Sequence, residues 1–212
     1  MSVQILEEIF KCISEGDRQL VKGKVQAALD AGLSPERILQ EGMISAMAEV
    51  GRLFEAGEYF VPEMLIAASS MQEGLQILRP HLAETGIKPI GSVVIGTVKG
   101  DLHDIGKNLV AMMLEGAGLN VVDLGVDVPP EKFVDAIRLD QGDVVAMSAL
   151  LTTTMANMKT AIEALKQAGL REKVKVIVGG APVTDSFARK IGADGYAEDA
   201  SRAVRLVESM IC

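Results

Sequence analysis

Apolar positions recur at intervals of three and four along the first part of the chain. Leu39, Met43, Met47, Val50 and Phe54 form one such stripe, and Met64, Ala68, Met71, Leu75 and Leu78 form another. That period lays each set along one face of an amphipathic helix. Residues 3–80 read as helix throughout, with breaks at Glu15-Gly16-Asp17, Gly32-Leu33-Ser34-Pro35 and Ala56-Gly57-Glu58. Ser34 is placed to cap a helix whose first residue is Pro35. Four helices joined by short connections predict a small antiparallel bundle.

From Pro80 the helical pattern dissolves into Thr85-Gly86-Ile87-Lys88-Pro89, which reads as a connector. The boundary predicted there separates a helical domain, 1–86, from a second domain, 91–212. In the second domain β-rich runs alternate with helical ones. Strands are predicted near 92–98, 120–124, 143–148, 174–178 and 194–197, and helices near 105–117, 130–140, 155–168, 184–191 and 200–211. Five repeats of strand then helix predict a parallel, doubly wound sheet. The fold class is therefore α/β: an N-terminal four-helix bundle followed by a flavodoxin-like (Rossmann-like) five-stranded parallel sheet. Ligands of such sheets collect at the carboxyl ends of the strands.

Charge narrows the choice of partner. The 29 acids against 21 lysines and arginines leave a formal charge of −8, which repels polyanions and argues against nucleic acid or an anionic membrane surface. No apolar run approaches the roughly 18 residues of a membrane span, and no charged-then-apolar leader opens the chain; a cytoplasmic protein is expected. Cys12 and Cys212 lie near opposite ends with neither a CxxC nor a Cys/His ligand spacing. Two reduced thiols are expected, with Cys212 at an exposed terminus.

Chemistry concentrates on three loops of the second domain. Gly100-Asp101-Leu102-His103-Asp104-Ile105-Gly106 follows the first strand and carries one of only two histidines in the chain. A carboxylate two residues before an imidazole can fix the ring tautomer and raise the basicity of the far nitrogen. Gly106 lets a flat ligand come close where the helix opens. The plainer alternative is a helix-capping acid beside a loop histidine. Ser148-Ala149-Leu150-Leu151-Thr152-Thr153-Thr154 places four hydroxyls after the third strand, suited to a neutral, amide-rich ligand or, alternatively, to capping the helix that follows. Gly179-Gly180-Ala181-Pro182 ends the fourth strand with almost no side chain, so it offers bare backbone to a bulky ligand or simply turns the chain. His81 falls near the end of the fourth helix as a surface or capping residue.

The pattern DxHxxG at Asp101, His103 and Gly106, then SxLxT at Ser148, Leu150 and Thr152, then Gly179-Gly180, resembles the cobalamin-binding domain of methionine synthase and of corrinoid proteins in methyl-transfer systems. The helical segment with Gly57-Glu58-Tyr59-Phe60-Val61-Pro62-Glu63 is similar to that family's cap domain, so the resemblance spans nearly the entire chain. It implies a cobalamin or related corrinoid bound base-off, with His103 in place of the cofactor's benzimidazole as lower axial cobalt ligand and sole protein ligand of the metal. Gly100, Asp101, Leu102, Asp104, Ile105 and Gly106 would surround that ligand. Asp101 would bond the imidazole and Thr154, where methionine synthase has serine, would extend a relay that takes up a proton on demethylation. Ser148, Leu150, Thr152, Gly179, Gly180 and the backbone near Ala200 would line the slot for the displaced nucleotide tail. In the cap, Phe54, Val61 and methionines would cover the upper face, although a Met stripe at helical spacing is also what a core looks like, and Glu41 would align with a cap glutamate.

The resemblance further implies a carrier that shuttles a methyl group from a substrate-specific methyltransferase to an acceptor methyltransferase, with a corrinoid reductive activator as a third partner. The donor would be a methylamine, methanol or a methoxylated aromatic, and the acceptor a thiol or tetrahydrofolate. No substrate site is visible, so the chain reads as a cofactor-bearing subunit that is not catalytic alone. Alternatives are a cobalamin-dependent sensor, for which no output module is present, and the cobalamin-binding subunit of a mutase. Gly96, Gly100 and Gly106 do not make the GxGxxG of a dinucleotide site.

Overall fold

The computed structural model describes residues 2–139 and 141–211 and divides into two compact units. One runs from the start of the chain to Pro89 and includes Glu115–Gly118; the other comprises Ile90–Leu114 and the chain from Leu119 onward. Cys212 lies outside the described residues.

The first unit is helical: α1 (Ser2–Ser14), α2 (Arg18–Asp30), α3 (Pro35–Arg37), a π-helical stretch Ile38–Ile44 that runs on into α4 (Ser45–Glu55), and α5 (Val61–Thr85). Its breaks fall where the glycines of the sequence suggest, and Ser34 Oγ accepts the Arg37 N–H at 3.4 Å with Pro35 opening α3. Contrary to expectation, α5 does not stop at Pro80 but continues to Thr85, where Gly86 caps it in the left-handed region. Proline removes the N–H that would bond the carbonyl of Gln76. Both Gln76 and Pro80 are exposed, so the lost bond falls on the solvent side of the helix, where it costs least. His81 therefore lies inside the helix, its ring 3.9 Å from Glu84.

Ile9, Ile13, Val21, Val25, Met43, Met64, Met71 and Leu78 are fully buried. A methyl group added at Gly74 would come within 2.9 Å of Met43 Cε and 3.4 Å of Val21, which shows how tightly α5 packs in this core. Met43, Met64 and Met71 therefore fill the interior, the core alternative for the methionine stripe and the role their unbranched chains suit. Val61 is exposed and Phe54 half-buried. Glu41 lies on the surface, gripped by the Arg37 guanidinium at 2.7 and 2.8 Å.

The second unit is the α/β domain. Its elements are β1 (Ser92–Thr97), α6 (Ile105–Gly116), β2 (Asn120–Asp123), α7 (Pro130–Arg138), β3 (Val144–Ser148), α8 (Ala156–Gln167), β4 (Lys175–Gly179), α9 (Asp185–Ile191), β5 (Gly195–Ala197) and α10 (Ala200–Ile211). All pairings are parallel and the order is β2-β1-β3-β4-β5, the flavodoxin-like order with its switch point between β1 and β3. Val94, Val145 and Val176 share a row and pack with Phe133 and Ile137 of α7 and Met158, Ile162 and Leu165 of α8. The alternate residues Val93, Ile95, Ala146 and Ile177 point to the other face and are buried too. A sheet covered on both faces explains the unbroken apolar runs. Its last rung aligns Thr97, Ser148, Gly179 and Ala197, and the three chemical loops leave from the first three of these.

Candidate functional site

Because β1 and β3 are neighbours, the loops after them converge. Asp101 is fully buried and gathers donors from both. Its Oδ1 accepts the His103 backbone N–H at 3.1 Å and lies 2.7 Å from His103 Nδ1. Its Oδ2 accepts the N–H groups of Leu150 at 2.8 Å and Leu151 at 3.2 Å and faces Thr154 Oγ1 at 2.7 Å. The Thr154 hydroxyl also lies 2.8 Å from the Leu151 carbonyl. It has one proton to give, and the carboxylate is the stronger acceptor.

Burial alone would raise the Asp101 pKa, but the hydrogen bonds from Thr154, from the His103 ring and from the backbone N–H groups of Leu150 and His103 outweigh it and hold the carboxyl well below the usual carboxylate range. An ionised carboxylate is an acceptor only, so His103 Nδ1 carries a proton, and in the neutral ring the lone pair lies on Nε2. The ring is half exposed. In its neutral form the ring therefore has one tautomer, with the donor nitrogen on the side away from its buried anchor.

The surroundings are apolar where a loop is ordinarily polar. Leu102 and Ile105, on either side of His103, are 71% and 75% exposed, and Leu150 and Leu151 are exposed beside them on the other loop. At Gly106, in the first turn of α6, an added methyl would meet nothing within 4 Å. Asp104 is the plain capping residue of the group: its carbonyl accepts the Asn108 N–H at 2.7 Å and its Oδ2 the Asn108 side-chain amide at 3.1 Å.

Ser148 is half-buried at the strand end, Thr152 is exposed, and Ala200 is buried at the start of α10. The paired glycines serve packing: a methyl at Gly180, whose φ is +125°, would lie 2.0 Å from the Ala149 carbonyl oxygen, and one at Gly179 would lie 3.0 Å from that of Ala197. The loop after β3 does not cap α8 with a hydroxyl, because α8 is preceded by Met155 with no side-chain bond and Thr154 is turned toward Asp101.

Two supporting residues were not singled out from the sequence. Thr97 is fully buried, and its hydroxyl donates to the His103 carbonyl at 2.9 Å, so His103 is held at its N–H, its carbonyl and its ring. Lys107, with its side chain 1% exposed, pairs with Asp123 at the end of β2 and donates to Asn108 Oδ1 at 2.6 Å. A β-forming threonine at a strand end and a lysine in a helix carry no distinguishing pattern. The Cys12 thiol is buried, and burial followed by the nearby Asp17 charge pushes its pKa up, as for an inert core thiol.

Two family models, both described as B12 binding domains, match residues 91–205 and residues 5–79. Trimethylamine corrinoid protein 1 of Methanosarcina acetivorans is 42% identical over 210 residues, covering 98% of this chain and 97% of that protein. This chain belongs to the B12-binding corrinoid proteins. Among solved structures, one chain of the methanol:cobalamin methyltransferase complex from Methanosarcina barkeri superposes with a TM-score of 0.87 at 33% identity, covering 98% of this chain and 80% of that one. A cobalamin-binding protein from Desulfitobacterium hafniense DCB-2 gives a TM-score of 0.79 at 31% identity, covering 97% of this chain and 98% of that one. The expected family and the expected α/β fold are both borne out. For a corrinoid protein the donor set fits: an imidazole nitrogen suits a transition metal, a carboxylate behind it is the usual tuning partner, and the exposed apolar side chains of Leu102, Ile105, Leu150 and Leu151 suit a flat macrocycle.

Proposed function

We propose that this chain is the methyl-carrying corrinoid subunit of a cytoplasmic methyltransferase system, serving a substrate-specific methyltransferase, an acceptor methyltransferase and a corrinoid reductive activator. The observation that carries the reading is the buried Asp101 carboxylate, which fixes the His103 tautomer and leaves Nε2 as a donor within an apolar rim. When bound, the corrinoid supplies a cobalt centre able to accept and release a methyl group. His103 serves as its lower ligand in a base-off cofactor; Asp101 and Thr154 hold that ring; Gly100, Leu102, Asp104, Ile105 and Gly106 form its immediate surroundings. Ser148, Leu150, Thr152, Gly179, Gly180 and Ala200 accommodate the displaced nucleotide tail. Residues 1–86 act as the cap and 91–212 as the cofactor domain. Relatives named for trimethylamine and dimethylamine, and a neighbour in a methanol methyltransferase complex, favour a small methylated donor, with a thiol or tetrahydrofolate as acceptor.

Every protein group assigned here either binds or orients. The ring nitrogen Nε2 donates an electron pair, Asp101 holds the proton on Nδ1, and the Thr154 hydroxyl holds the carboxylate, so the ligand meets the metal without reorganising. The test is reconstitution of the full chain with cobalamin, with and without His103→Ala. The wild type should show a base-off spectrum with imidazole ligation, and H103A should lose the imidazole component. A colourless wild type, or identical spectra from the two proteins, would overturn the assignment.

A further inference from the structure

Among the described residues, Asp127 is the only residue other than glycine with a positive φ, at 51°. A side chain in left-handed backbone is uncommon, although aspartate tolerates it better than most, and the conformation persists where surrounding contacts over-determine it. Asp127 lies between β2 and α7, 27 residues from Gly100. It makes two bonds to the loop that carries His103. Its Oδ1 accepts the Gly100 N–H at 2.7 Å, and its own N–H donates to the Asp101 carbonyl at 3.0 Å. The left-handed turn brings a side-chain acceptor and a backbone donor onto the same short segment.

Closing its own loop does not account for this arrangement. That loop is already fixed on both sides of Asp127: the Thr97 N–H bonds the Gly125 carbonyl at 3.0 Å and the Val128 N–H bonds the Thr97 carbonyl at 2.9 Å, with Val98 and Val128 in a parallel bridge. Nor does core packing, since Asp127 is exposed. What the residue adds is a grip on Gly100 and Asp101. The Asp101 side chain is held by Leu150, Leu151 and Thr154; its carbonyl is held by Asp127.

We propose that Asp127 is a positioning residue for the cobalt ligand: by clamping the main chain at Gly100 and Asp101, it sets the aim of the His103 imidazole. This rests on the reading of His103 as the lower ligand. Glycine at 127 adopts the same backbone freely but lacks the acceptor, whereas asparagine keeps the acceptor and tolerates the conformation.

The experiment reconstitutes the full chain, as wild type, D127G, D127N and H103A, with cobalamin. It reads affinity, the fraction of imidazole-ligated spectrum, the exchange rate of the Gly100 amide in the cofactor-free protein, and the urea unfolding midpoint. D127G should bind cobalamin about three- to tenfold more weakly, the loss expected of one net hydrogen bond, with a smaller imidazole-ligated fraction and faster Gly100 exchange. Its unfolding midpoint should change little, because relief of the left-handed aspartate offsets the lost bond. D127N should restore the wild-type values. Should D127G accumulate poorly, D127A removes the same acceptor and is judged by the same spectrum. D127G with wild-type affinity and spectrum would overturn the proposal, as would D127N as impaired as D127G. If H103A and wild type gave the same spectrum, the ligand assignment would fail instead.

Discussion

Replacing Asp101 by asparagine changes one atom and tests the site at its centre. Oδ2 of the carboxylate receives three donors, from Leu150, Leu151 and Thr154, and Oδ1 receives the His103 backbone N–H and faces the His103 ring. The amide nitrogen of the variant must take one of these places. At the Oδ2 position it would confront two backbone N–H groups that cannot turn away. At the Oδ1 position it confronts one backbone N–H and a ring nitrogen that can become an acceptor by changing tautomer. The second arrangement is cheaper. Three charge-assisted bonds become neutral, at about 1 kcal/mol each, and one backbone N–H loses its partner, at about 1–3 kcal/mol; part of this is recovered because no charge is buried. The net loss is about 2–4 kcal/mol. The tautomer change matters more, since Nε2 then carries the proton and has no lone pair to donate.

Urea unfolding of the cofactor-free protein measures the first effect. The imidazole ¹⁵N shifts measure the second, in a spectrum with only two histidines. D101N should show His103 protonated at Nε2 and should lose imidazole ligation on reconstitution. Acid adds a third signature. The folded carboxyl sits below its unfolded range, so its contribution to stability is complete above the unfolded value, about pH 4, and is lost as pH falls below that toward the folded value. D101N should therefore flatten the acid limb of the stability curve. A D101N protein within about 0.5 kcal/mol of wild type, with Nδ1 still protonated, would refute this account of the site.

Thr154→Val removes one donor from Oδ2 and should lower stability by about 1–2 kcal/mol while moving acid unfolding to higher pH; Thr154→Ser should restore both, as read by urea titration at several pH values. The buried end of Lys107 makes its ion pair asymmetric: D123A strands a lysine whose side chain is 1% exposed and should cost about 3 kcal/mol, whereas K107M leaves Asp123 solvated and should cost about 1 kcal/mol. The double variant should recover most of the D123A loss in urea unfolding, and no recovery would show that the charge is not the cause. Gly180→Ala forces a methyl to 2.0 Å from a backbone oxygen at a φ of +125° and should cost more than about 3 kcal/mol or prevent folding. Gly106→Ala meets open space and should unfold like wild type, so weakened cobalamin binding by G106A would mark that space as occupied by the cofactor.

The parts of the molecule legible in its sequence are those whose determinants are local. Short Val and Ile runs bounded by glycine and acids placed β1, β3 and β4 to within about two residues, because a strand buried on both faces needs nothing else. Pro80 misled for the opposite reason: a local rule ends a helix there, but the rule assumes a carbonyl that must find a partner in protein, and Gln76 is exposed. Met43, Met64 and Met71 were legible only as a stripe, and a stripe does not say whether a core or a ligand lies against it. Asp101 stood out because it is two residues from His103, yet most of its donors come from the loop after β3. Thr97 could not stand out, since its hydroxyl acts on a carbonyl that reaches it only after the chain has turned.

The order of the strands explains why local reading stops where it does. Had β1, β2 and β3 lain side by side in sequence order, β2 would separate the loop of His103 from the loop of Thr154. In the observed sheet β2 lies outside β1, so Thr97 and Ser148 are register partners and the two loops leave the sheet together. Asp101 can then be buried between them and take donors 49 to 53 residues away. Burial alone would favour the protonated acid; donors from both loops, three of them from the loop after β3, keep the carboxylate ionised and so keep the proton on His103 Nδ1. The electronic state of His103 is thus a consequence of the switch point in the sheet, and a substitution on either loop reaches it through one buried carboxylate.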